Sequence, residues 1–229
     1  MRSNMKSMKG QQSGFTLVEI AIVLVIIGLL LGGILKGQEL INSAKVKSFA
    51  QDFRNIQTAV YGYQDRFKSL PGDHAAVQTA MPTAPLPDVA SPAATRGNGR
   101  IEGAWNSATA TDESCLVWQH LRKANFFPGP TQEGTVDCSD ASLYVPKNAD
   151  GGRIGISSDM QITLPSPMTG SFNICSSGIL GKFARQLDTQ LDDGVSNTGS
   201  VRIAATGSPT ALAPAAVTDD ISTVVCLSF

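Results

Sequence analysis

Three groups of side chains in this sequence have the types and spacing to do chemistry. The first is a lone carboxylate, Glu19, inside the otherwise uncharged apolar run Phe15–Leu35. A carboxylate at mid-membrane costs about 2.5–3.5 kcal/mol on insertion scales, and less near an interface, so an acid there calls for a partner. The second is the set of four cysteines, Cys115, Cys138, Cys175 and Cys226. They contain no C-x2-C pair, and neither His74 nor His120 sits at ligand spacing to a cysteine. The pattern therefore argues for disulfides over zinc. The third is Asp188, Asp192, Asp193 and Asn197, in the stretch LDTQLDDGVSNTG. Oxygen ligands around a glycine turn can hold calcium. The spacing departs from the EF-hand loop, however, and Asp-Asp-Gly is also an ordinary helix-ending turn. The turn is the favoured reading: no metal is expected, calcium is the alternative at these residues, and no other cofactor is expected.

Catalytic patterns are lacking. There is no nucleophile–base arrangement, no P-loop and no dinucleotide fingerprint. His74 and His120 read as structural or surface residues, and Tyr61, Tyr63, Phe67 and Trp118 as core. The chain is not expected to be an enzyme. Its formal net charge of -1 gives no general support for a nucleic-acid partner. Without Arg2, Lys6 and Lys9, 15 basic residues face 19 acidic ones, a balance of -4.

Long apolar and amphipathic elements must position these groups. Only 16% of residues are charged, against the roughly 25% usual for soluble domains. Much of the apolar surplus sits in Phe15–Leu35, which as a helix would be roughly 31 Å long, one hydrocarbon core. Residues 1–14 hold Arg2, Lys6 and Lys9 and no acid. Basic residues before an apolar span keep that end in the cytoplasm and leave the rest outside. A cleaved secretory signal fits poorly: the run is too long, and Lys36-Gly37-Gln38 follows it with no A-x-A site. A plain anchor leaves Glu19 without a purpose.

Gly14-Phe15-Thr16-Leu17-Val18-Glu19, after a short basic leader and before an apolar helix, resembles the processing signal of type IV pilins and type II secretion pseudopilins. The resemblance implies cleavage by a prepilin peptidase between Gly14 and Phe15, then methylation of the new amine on Phe15. It implies that Glu19 pairs with the Phe15 amine of a neighbouring subunit during assembly. A subunit out of register would leave both charges unpaired in apolar surroundings, so such a pair sets axial stagger. The implied partners are the peptidase, identical or related pilin subunits, the inner membrane and the pilus assembly machinery. The protein would begin as a single-pass inner-membrane protein with its head outside the cytoplasm. It would end in a surface pilus or a periplasmic pseudopilus. A pilus subunit is the reading favoured by the size of the head; a secretion pseudopilin and a non-polymerising anchored binding protein are the alternatives.

Beyond the apolar run, Val46, Phe49, Phe53, Ile56, Val60, Tyr63 and Phe67 recur at spacings of three and four. They make one apolar stripe along a continuing helix. Ser69-Leu70-Pro71-Gly72 should stop it. The helix has no proline between Phe15 and Lys68, but Gly28, Gly32, Gly33 and Gly37 each cost it about 1 kcal/mol against alanine. They mark either a point of local melting on assembly or a face for close helix packing.

The expected organisation is a leader over 1–14, a transmembrane and filament-core helix over 15–35, its amphipathic continuation over 36–70, and a head over 71–229. The fold class is α+β: the long helix packs on a small antiparallel sheet, as in pilins. In the head, Asp73 should cap a short helix over 74–81, and Thr111 and Asp112 a helix over 111–125. Strands are expected over 153–156, 160–164, 171–175, 201–204 and 223–227, with a helix over 179–191 between the third and fourth. Residues 82–98 and 206–220 read as loops, and Arg96–Arg100 as a turn. Four cysteines allow three connectivities. Cys115–Cys138 with Cys175–Cys226 is favoured, the second pair enclosing the region that pilins staple.

Overall fold

The structure is a computed structural model that describes residues 16–80, 96–131, 136–160 and 162–229. Its first element, α1, is an unbroken helix over Leu17–Phe67. It ends where expected. Lys68 turns into the left-handed region with φ 56°, Pro71 denies a backbone donor, and Gly72 follows at φ 93°. A Cβ on Gly72 would lie 2.6 Å from the carbonyl oxygen of Glu113, so only glycine lets the chain pass there. The chain divides into two units, Met1–Ser43 and Ala44–Phe229.

In the second unit the apolar stripe faces inward. Val46, Phe49, Phe53, Ile56, Val60 and Tyr63 are buried, and Phe67 is partly so. The stripe packs on a four-stranded antiparallel sheet of β1 (Ile154–Ser157), β2 (Asn173–Leu180), β3 (Val201–Ala205) and β4 (Ser222–Ser228), in the order β1-β2-β4-β3. The period-2 alternation of strands divides the sheet into two faces. Ile154, Ile156, Ile174, Val201, Ile203, Val225 and Leu227 join the stripe in the main core. Cys175, Ala204, Val224 and Cys226 point the other way, into a second cluster with Trp105, Ile162 and Met168. This is the α+β, pilin-like arrangement of a long helix and a small antiparallel sheet.

Three helices complete the head: α2 (Val77–Ala80), α3 (Glu113–Lys123) and α4 (Gly181–Leu191). The first is much shorter than expected, and Asp73 does not cap it. The Asp73 carboxylate instead accepts backbone N–H groups from Gly97, Asn98 and Gly99. That ties the Arg96–Arg100 turn to the end of α1. Asp112 does stand at the N-cap of α3, but its carboxylate takes the Ser107 hydroxyl at 2.5 Å and makes no cap bond. All residues of α3 from Glu113 to Arg122 are buried, not one face alone. Loops cover the remaining side: the Arg122 guanidinium donates to the carbonyls of Pro128, Pro130 and Tyr144.

Two strand expectations need correction. Strand β2 runs on through Ile179 and Leu180, which the amphipathic pattern assigned to a helix. Gly178, at φ 73°, forms a bulge that lets the ladder to β4 continue, and the Thr223 hydroxyl donates to the Ile179 carbonyl at 2.7 Å. The helical period survives only from Gly181, whose N–H donates to Ile221 O. Residues 160–164 form no strand among the described residues; Leu164 makes one bridge to Thr210. Ile162 is buried under the outer face, with Pro165 and Pro167 just beyond to deny ladder donors. Most of the expected 82–98 loop, and Met81, lie outside the described residues.

Candidate functional site

Gly14 and Phe15, the expected processing pair, lie outside the described residues. The structure begins at Thr16, and what it describes is a helix start. Glu19 Oε2 accepts both the backbone N–H and the hydroxyl of Thr16, each at 2.8 Å. The Thr16 hydroxyl accepts the Glu19 N–H at 3.3 Å. This is a capping box, in which the two residues answer each other's orphan groups. The Thr-x-x-Glu spacing carries that signal in the sequence. A carboxylate in the first turn also suits the positive end of the helix dipole.

From Leu17 to Leu35 every large apolar side chain is exposed, from 46% at Ile27 to 90% at Leu17. Among the described residues of this unit nothing covers them. Exposed apolar area of this extent marks a membrane or protein contact. Among the described residues this is the one helix long and apolar enough to cross a membrane. Gly28, Gly32, Gly33 and Gly37 sit in its unbroken part, with nothing within 4 Å of where a Cβ would be. Their spacing of four places small residues one above another, which lets a second helix approach closely. Lys36 and Glu39 pair at 2.6 Å but are both well exposed, so the pair contributes little.

The head brings the cysteines together as Cys115–Cys138 and Cys175–Cys226. The second bond joins directly opposed residues of β2 and β4, on the outer face beneath Trp105 and Met168. The first ties α3 to the following loop, with Cys115 and Cys138 both buried.

A buried polar cluster joins three elements that the sequence keeps apart. Tyr63 Oη lies 2.7 Å from His74 Nδ1, and His120 Nδ1 accepts the Gly72 N–H at 2.8 Å. The His120 ring stacks on Tyr63 with centroids 6.2 Å apart. Burial, aided by nearby His74, pushes His120 down to about 3. Burial lowers His74 as well, against the pull of Asp73. Both histidines are thus core residues that the fold holds neutral. Tyr61 is a correction of another kind: 43% exposed, it rests its edge on Phe172 instead of joining the core.

Asp188, Asp192 and Asp193 gather at the end of α4, each offering one oxygen within 4.8 Å of the others. Asn197 is half-buried in the same loop. Burial, then Asp193 and Asp192, push Asp188 up to about 6, while the Gly194 N–H, outside hydrogen-bonding geometry, and Arg202 pull the other way. On the same helix, Arg185 pairs with the Asp219 carboxylate.

On the outer sheet face a cavity of about 380 Å³ is lined by Trp105, Arg153, Ser177, Gly207 and Ser208, among others. Arg153 spends its terminal nitrogens on Ser107 O, Cys138 O and Asp140.

Comparison of the chain with curated proteins and with solved structures finds no match. Comparison with family models finds one at the N-terminus. It covers residues 9–35, that is, the end of the basic leader, the Gly14–Glu19 stretch and the exposed apolar helix. Residues 9–35 carry the prokaryotic N-terminal methylation motif, the signal of type IV pilins and pseudopilins.

Proposed function

We propose that this protein is a structural subunit of a type IV pilus-like filament. It is cut by a prepilin peptidase after Gly14, methylated on Phe15 and polymerised through its N-terminal helix. The observation that carries this reading is the apolar face of Leu17–Leu35, exposed on every side and directly following the methylation motif. The motif and the apolar helix fit anchoring in the inner membrane before assembly. Once the helix leaves lipid, burying it against other copies is the way to remove that surface from water. The motif also fits a structural, non-enzymatic role. Glu19 carries the register: one oxygen holds the Thr16 cap, and the carboxylate pairs with the Phe15 amine of the next subunit. The capping box pre-orients Glu19 at the helix end where that amine arrives.

The test is mass spectrometry of mechanically sheared surface material beside washed membranes. An abundant species starting at N-methylated Phe15 in the sheared fraction supports the pilus subunit. The same species confined to membranes redirects the reading to a secretion pseudopilin or a scarce minor subunit. A chain that keeps residues 1–14 in both fractions refutes processing and leaves an anchored binding protein. Gly14→Ala should block cleavage. Glu19→Ala should leave cleavage intact and abolish filaments; normal filaments from it would refute the pairing.

A further inference from the structure

We propose that the turn after α4 is a divalent-cation site in which Asp188, Asp192 and Asp193 together bind calcium. Calcium–oxygen bonds of 2.3–2.6 Å put two ligands of one ion at most about 5 Å apart. The structure holds one oxygen from each of these three carboxylates within 4.8 Å of the other two.

A helix-ending turn explains two of the three. Asp193 accepts the Val195 N–H at 2.8 Å and the Thr198 hydroxyl at 2.6 Å. Asp192 accepts the Val201 N–H at 2.8 Å. Neither role needs Asp188. That side chain is 1% exposed, and both of its carboxylate oxygens are buried with no hydrogen-bond partner among the described residues. It is aimed at the other two acids, since one of its oxygens is in the three-way cluster. Buried carboxylates are normally paired, hydrogen-bonded or bound to metal.

Charge argues the same way. The three acids stand at the C-terminal end of α4, the negative end of its dipole. Arg202 is the cation that faces them, coupled to Asp188 and Asp193. It does not hydrogen-bond to Asp188, and its own Nε and Nη1 are buried without hydrogen-bond partners among the described residues. One guanidinium against three carboxylates leaves two negative charges, which one divalent ion offsets. The loop is also built close around the acids. A Cβ on Gly199 would lie 1.9 Å from Asp192 Oδ2, and Gly199 has φ 66°. The oxygen-only ligand set suits a hard cation over a transition metal.

The experiment uses the full-length protein in detergent micelles, stripped with EDTA and titrated with calcium chloride. Calorimetry should show saturable binding of one ion per chain. Thermal unfolding at saturating calcium should rise by at least about 4 °C over EDTA. Asp188→Asn and Asp193→Asn should each abolish the bound ion and the calcium-dependent rise. Asp193 is exposed, so its variant keeps the test valid if Asp188→Asn does not fold. No binding at millimolar calcium overturns the proposal. So does an equal rise in wild type and in either variant.

Discussion

Acid should unfold the head through His120. The ring is buried, stacked on Tyr63, and its Nδ1 is already an acceptor for the Gly72 N–H. Its folded value is about 3 against 6.5 in a model peptide. For a lowered value the stability is fully present above the unfolded pKa and is lost as pH falls below it. Linkage then gives a loss of about 2 kcal/mol between pH 8 and pH 5, and about 3 kcal/mol by pH 4. His74 runs in the same direction. Asp52, half-buried on α1 and raised by burial to about 6, runs the other way and gains stability over part of that range. The raw pH profile therefore mixes signs, and the informative quantity is a difference. His120→Asn keeps an acceptor for Gly72 and removes the titration. Urea unfolding of wild type and variant, followed by fluorescence of buried Trp118, should be run at pH 8 and pH 5. Wild type should lose about 2 kcal/mol more than the variant between the two. Equal losses would refute the claim that the core holds His120 neutral.

Other consequences are sharper in outcome. Replacing Cys175 and Cys226 by serine opens a loop closed over a separation of 51 residues, which the chain-entropy model puts at about 4 kcal/mol. The same change at Cys115 and Cys138, with a separation of 23, should cost about 3 kcal/mol, measured by the same urea titration. Gly155→Ala would place a Cβ 1.9 Å from the Trp105 carbonyl oxygen, so it should cost about 3 kcal/mol and shift Trp105 fluorescence. Phe53→Ala, in the middle of the buried stripe, should lower stability by about 3–5 kcal/mol without altering processing at Gly14.

Patterns that repeat along the chain are legible without a structure, because helix and strand periods are local. The apolar run, the stripe from Val46 to Phe67 and the Pro71-Gly72 stop all have this character, and α1 follows them closely. Local signals failed where two of them competed. Ile179 and Leu180 fit the helical period of Phe183 and Leu187, yet the ladder to β4, kept in register by the Gly178 bulge, claims them. Asp73 and Asp112 have the right types to cap helices, but the distant 97–99 turn supplies donors to Asp73 and the hydroxyl of nearby Ser107 occupies Asp112.

By itself the sequence determined the N-terminal signal. A basic leader, Gly14–Glu19 and an apolar helix are contiguous, so their order alone identifies the signal. It also determined that an amphipathic helix would need an apolar sheet to lie on. Only the tertiary structure decided what comes together from afar. Gly72, His74 and His120 meet at Tyr63 because α1 ends against α3. Asp188 loses its water because α4 packs on the sheet, and Arg202 reaches it from β3. Such meetings depend on which faces pack, and packing is set by shape and burial over the whole head, which no spacing along the chain records.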